Sequence, residues 1–133
     1  SDRPISTNLY GAYMGDGKWI MNKDSLIVYA QEINDSPTRA AKLFESMEPV
    51  YGTTADGRRV IEAHRLKIVG EKDFYNAVGL IDGDLVKTVN GKPVTSKRAA
   101  MRMINSFRSG EASSFIMDIE RNGTSMRLDY TVK

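Results

Sequence analysis

The C-terminal stretch carries the tightest constraint in the chain. Phe115, Met117 and Ile119 recur at every second position up to Asn122-Gly123, and Met126, Leu128, Tyr130 and Val132 alternate on the way back. A period of two sends every second side chain to one face, and Asn-Gly supplies the positive-φ residues that a two-residue turn needs. The pattern predicts an antiparallel hairpin buried on one face. A one-residue slip in pairing would turn all of these apolar side chains to water.

Upstream, helical and extended patterns mix. Tyr10, Tyr13, Met14, Trp19, Ile20 and Met21 surround Gly15-Asp16-Gly17, which suggests a short hairpin or bent strand after a loose, extended start over residues 1–9. Asn22 suits an N-cap for a helix with Leu26, Tyr29, Ala30 and Ile33 on one face, ended by Asn34-Asp35. Ser36 caps a second helix, with Pro37 at its first position and Pro49 expected to close it. Val50-Tyr51 and residues 59–69 read as strands, Phe74 to Val78 as a helical turn, and Leu80 to Val89 as a buried strand region. Asn90-Gly91 is a tight turn, with Pro93-Val94 a short edge strand. Ser96 caps a helix over 97–108 with Ala100, Met103, Ile104 and Phe107 facing inward, and Gly110 lies just beyond its end. Short strands, a helical turn, one longer helix and a closing hairpin together predict an α+β domain, a partly open β-barrel preceded by two short helices.

The chain has 133 residues, 41% of them hydrophobic, enough for one core and not for two. It has no cysteine, which excludes a disulfide scaffold and a thiol nucleophile. A single histidine, His64, excludes a His-rich metal site. The net charge of +2 is too small to suggest nucleic-acid binding without a concentrated basic patch. No run of about 18 apolar residues suggests a membrane-spanning helix, and no secretory signal pattern opens the chain. Charge is uneven, −2 over residues 1–48 and +4 over 49–133.

One stretch is more specific. Gly79-Leu80-Ile81-Asp82-Gly83-Asp84-Leu85-Val86, followed by Val89-Asn90-Gly91-Lys92-Pro93-Val94, resembles the core signature of bacterial PDZ domains. The glycines and Asn90 stand where the backbone must take left-handed turns, and Leu80 plugs the core. The helix at 97–108 and the final hairpin follow in the order a PDZ domain requires. Further upstream, His64-Arg65-Leu66, Val69 and Phe74-Tyr75 resemble general secretion pathway protein C, the inner-membrane component of type II secretion systems. Trp19-Ile20-Met21, the two short helices and Met47-Glu48-Pro49-Val50 resemble, more weakly, the segment preceding that family's PDZ core. Two positions depart from the family: His64 replaces the usual Tyr or Phe, and Ala63 the usual Gly. Both are expected at the loop that cradles a peptide terminus in ordinary PDZ domains.

The resemblance implies an extension over 1–18, a helical lead packed on the core over 19–48, and a PDZ-like domain over 49–133. It implies a periplasmic domain of an inner-membrane protein, anchored through a segment outside these residues, without enzymatic activity or cofactor. Its partners would be a secretion substrate, the secretin or another protein of the secretion apparatus. The alternative is a peptide-recognition PDZ domain from a periplasmic or membrane-associated protease, in which case the catalytic residues lie elsewhere.

Binding in such a domain uses an unpaired strand edge beside a helix, where an extended peptide completes the sheet. The expected groove is formed by Ala63, His64, Arg65, Leu66, Lys67, Ile68 and Val69 from the strand, and by Ala100 and Met103 or, one step round, Met101 from the helix. Core packing is the ordinary role for these methionines. Lys97, Arg98, Arg102 and Arg108, with no acidic residue among 97–108, would give that helix a solvated basic face or a rim attracting acidic partners. A catalytic triad would have to use His64, which sits inside an alternating strand pattern. Asp82 and Asp84 do not continue into a calcium-loop pattern. No metal site is expected.

Overall fold

A computed structural model describes residues 3–110 and 113–133, without the side chains of residues 104, 107 and 108. The expected inward packing of Ile104 and Phe107, and the position of the Arg108 cation, therefore lie outside the described side chains.

The C-terminal hairpin forms as the alternation requires. Strand β7 (Ser114–Arg121) pairs with β8 (Thr124–Val132) from Ser114↔Thr131 to Arg121↔Thr124. Asn122 and Gly123 take φ of 51° and 78° at the turn. Ile119, Leu128, Tyr130 and Val132 are buried, and Phe115, Met117 and Met126 pack against them. Tyr130 stacks on Phe115 with ring centroids 4.5 Å apart.

The remaining strands build outward from this pair. They are β1 (Ser6–Asn8), β2 (Gly11–Gly15), β3 (Lys18–Met21), β4 (Met47–Thr53), β5 (Arg59–Leu66) and β6 (Leu85–Val89). All eight strands join one sheet in the order β1-β2-β3-β8-β7-β6-β5-β4. Its two end strands, β1 and β4, do not pair with each other, so the sheet is open. Pairing is antiparallel throughout except between β3 and β8, which run parallel from Lys18↔Asp129 to Met21↔Val132. Four helices complete the fold: α1 (Lys23–Asn34), α2 (Pro37–Glu45), α3 (Lys72–Ala77) and α4 (Lys97–Arg108).

The helix starts follow capping chemistry. Asn22 Oδ1 accepts from the Ser25 amide at 2.9 Å, Ser36 Oγ from Arg39 at 3.4 Å, and Ser96 Oγ from Ala99 at 3.1 Å. Asp16 and Gly17, both at positive φ, make the β2–β3 turn. The core gathers Met21, Leu66, Tyr75, Leu80, Val86 and the hairpin residues, with Leu66 fully enclosed.

Two local expectations are corrected. Pro49 does not terminate α2, which ends at Glu45; it lies within β4. Because β4 is an end strand, one side of its backbone has no ladder partner, and a residue without an N–H is tolerated there. Pro93-Val94 forms no strand; a single bridge between Val89 and Lys92 closes the Asn90-Gly91 turn. The divisions expected after residues 18 and 48 fall inside β3 and β4. Composition along the chain does not register that β3 pairs with a strand more than a hundred residues away.

Strand β5, the helical turn α3, strand β6, the long helix α4 and the closing hairpin follow one another as in a PDZ domain. Among the described residues the fold is α+β, an open, mixed sheet of eight strands with four helices.

Candidate functional site

The strand expected to offer a free edge is occupied on both sides. Arg65 pairs with Glu48 of β4 and with Leu85 of β6, and His64 lies between Pro49 and Val86. Beyond the end of β5 the same closure continues through irregular backbone. The Leu66 amide donates to Asp84 O at 2.8 Å, Lys67 to Ser46 O at 2.8 Å, Ile68 to Asp82 Oδ1 at 2.7 Å, and Val69 to Ser46 Oγ at 3.0 Å. No row of unpaired amides remains for an incoming peptide between Arg65 and Val69.

Side chains there serve the fold. Ala63 and Leu66 are buried and Ile68 packs on the core. The Arg65 guanidinium donates to Gly83 O at 3.0 Å, and Lys67 pairs with Glu48 at 3.3 Å. Ala63 and His64 stand mid-strand, not in a terminus-cradling loop. Burial lowers the His64 pKa from its ordinary value, which keeps the ring neutral at pH 7. Val69 alone of the strand set presents a largely exposed apolar side chain. On α4, Ala100 and Met103 are half-buried while Met101 reaches the surface.

The free edge passes instead to β4. It has seven residues and is hydrogen-bonded into the sheet on one side only, by β5. Register shifts between Val50 and Tyr51, and Tyr51 is half-exposed with the Arg59 guanidinium 3.8 Å from its ring centroid. Pro49 and the bulge shorten the stretch a second strand could use, as exposed edges of natural sheets commonly do. The other end strand, β1, has three residues.

A buried ion pair anchors the turn that leads into β6. Asp84 is 1% exposed and accepts from Arg121 Nε and Nη2, each at 2.8 Å, and from the Ile81 amide at 2.9 Å. Arg121 Nη2 also donates to Gly79 O at 2.9 Å. Hydrogen bonding to Asp84 raises the Arg121 pKa further. The Asp82-Gly83-Asp84 turn of the sequence signature is thereby locked to the last hairpin: Asp82 holds the end of β5 and Asp84 holds β7.

A second polar cluster ties the leading helices to the core. Glu71, at φ 59° ahead of α3, accepts from Tyr29 Oη at 2.7 Å and from Arg39 Nη2 and Nε at 2.7 and 3.1 Å. Arg39 also reaches Glu32 at 3.3 Å. The Arg39 hydrogen bonds hold the Glu71 carboxyl below its usual range, and burial with the Glu71 contact pushes the Tyr29 phenol up. Tyr29 stacks on Phe74 at 4.0 Å, and Tyr10 meets both rings edge-on.

Above this clamp an apolar cleft of about 270 Å³ opens between α1, α2 and α4. Leu26, Ile27, Ala30 and Ile33 of α1 form one wall, Leu43 and Phe44 of α2 another, and Met101 projects from α4. Sequence reasoning placed Met101 beside a strand; the structure sets it against two helices. The missed signal was the width of α1's apolar surface. Leu26, Ile27, Val28, Tyr29, Ala30 and Ile33 exceed what one buried stripe needs. Among the described residues, no three His, Asp or Glu side chains converge as a metal-ligand set.

No family model and no curated protein matches the chain. Among solved structures, the chain is similar to the PDZ domain of EpsC from Vibrio cholerae, residues 204–305. That match has 17% identity over 80% of this chain and 98% of that one, at a TM-score of 0.41. A shorter piece of the same domain, residues 219–305, matches at 17% identity over 65% and 95%, at a TM-score of 0.38.

Proposed function

We propose that this chain is a non-catalytic protein-interaction module of a type II secretion apparatus, located in the periplasm, that takes an extended segment of an exported protein or apparatus partner along β4. The observation that carries the reading is the one-sided pairing of β4, the longer of the sheet's two unpaired edges. Backbone amides and carbonyls on that side are available for β-augmentation, in which main-chain hydrogen bonds give affinity and side-chain pockets give selectivity. Val50 and the Tyr51–Arg59 pair are the side chains that such a segment would meet. His64-Arg65-Leu66, Val69 and Phe74-Tyr75, which resemble general secretion pathway protein C, support the secretion assignment, and residues 79–94, which resemble the PDZ core, support the interaction-module reading.

The test is hydrogen exchange of the 133-residue chain mixed with purified exported proteins and with the periplasmic part of the secretin from the same organism. Slowed exchange confined to Met47–Thr53 is the expected result, and Val50→Pro should abolish it. Protection elsewhere, or none with any of these proteins, would refute the proposal.

A further inference from the structure

We propose that the cleft between α1, α2 and α4 docks an acidic amphipathic helix of a partner protein, at a place separate from the β4 edge. The inference rests on the interaction-module reading and adds a second surface to it.

Cleft dimensions select the type of occupant. Its α1 wall runs from Lys23 to Asn34, which at 1.5 Å per residue is about 16 Å, or three helical turns. Ile27, Ile33, Phe44 and Met101 line it with apolar side chains, the kind of surface that anchors at i, i+3/i+4 and i+7 of a docked helix contact. The volume of about 270 Å³ sits below the roughly 300–1,000 Å³ typical of small-molecule pockets. It has room for a few side-chain anchors.

Charge selects the partner's chemistry. Among the described residues Lys23 is the one charged residue lining the cleft, and Lys97 places its ammonium 5.3 Å from the Phe44 ring centroid. Arg98 and Arg102 continue the cationic surface of α4, and none of these four cations has an ion pair among the described residues. Among the described residues no carboxylate lines the cleft; α1 carries Asp24 and Glu32, and Glu32 is engaged by Arg39. An apolar trough lined by Lys23 and flanked by Lys97 attracts a helix with carboxylates flanking its apolar stripe.

The probe is a synthetic end-blocked peptide with Leu at i, i+3/i+4 and i+7 and Glu at the remaining positions, compared with the same peptide carrying Lys for Glu. The readout is methyl NMR of the whole chain. The Glu peptide should shift the methyls of Ala30, Ile33, Leu43 and Met101 and bind at least about tenfold tighter than the Lys peptide. Lys23→Glu with Lys97→Glu should remove that preference. Both substitutions put a carboxylate at a helix N-terminus, where it favours the helix, so the loss would not report unfolding. The proposal is overturned by equal response to the two peptides, by no shift at millimolar peptide, or by shifts confined to β4. Shifts of the same methyls with dodecanoate, but not with the Glu peptide, would overturn it in favour of a lipid acid. Because the β4 edge is read by exchange at 47–53 and the cleft by these methyls, either surface can fail without the other.

Discussion

Replacing Arg121 with Met should destabilise the domain far more than an ordinary surface change. Arg121 supplies two of the three hydrogen bonds that reach the buried Asp84 carboxylate, leaving only the Ile81 amide. Hydrogen bonds to a charged group contribute about 1.5–3 kcal/mol each, and breaking a buried ion pair from one side costs about 3–5 kcal/mol. The expected loss is therefore about 3–5 kcal/mol, which lowers Tm by roughly 10–20 °C for a domain of this size. Urea unfolding followed by fluorescence of Trp19, the single tryptophan, measures it directly. The double variant Asp84→Asn with Arg121→Met removes both charges while Asn keeps an acceptor for Ile81. It should recover a substantial part of the loss, with a coupling energy of at least about 1.5 kcal/mol. An Arg121→Met cost below about 1 kcal/mol, or strict additivity in the cycle, would refute the argument that Asp84 depends on this partner.

Gly79→Ala should cost about 1–3 kcal/mol, because φ is +87° and an added Cβ would lie 2.6 Å from Trp19 Cζ2; an unchanged urea midpoint and emission maximum would contradict this. Glu71 has a folded pKa below its ordinary value of 4.5. Its contribution is thus complete above that value and fades as pH falls through the lowered one. Glu71→Gln should therefore be less stable than the parent at pH 7 and converge with it toward pH 3 in paired urea titrations; a gap independent of pH would argue against the Arg39 clamp. Asn22→Ala should cost about 1 kcal/mol through loss of the α1 cap, visible as faster amide exchange at Ser25, and no change there would remove the cap from the account.

The parts of the fold that were legible carry local signals. Alternation in residues 115–132, the Asn122-Gly123 turn, and the Ser96 and Asn22 caps each depend on a few neighbouring residues, and each stands where expected. Partner assignments were not legible in the same way. Residues 63–66 read correctly as strand, 67–69 lie beyond its end, and nothing in the stretch reveals that β4 and β6 flank β5, so an interior strand was taken for an edge. Pro49 was available as a clue, since proline within a strand points to a sheet margin, yet its position just after a helix favoured reading it as a terminator. Long-range ionic pairs such as Asp84–Arg121 and Glu71–Arg39 are invisible to periodicity, because charged residues in turns and on helices are ordinary surface residues until the fold brings them together.

The parallel contact between β3 and β8 bears on how this molecule can be dissected. Trimming the chain to begin at Met47 would isolate the segment that looks most like a self-sufficient unit. It would also strip the neighbour from Asp129–Val132 and turn an interior row of amides into a raw border facing solvent, while removing the indole that roofs Gly79. Such a fragment is expected to stick to itself, and the smallest piece that behaves well should retain the first hairpin.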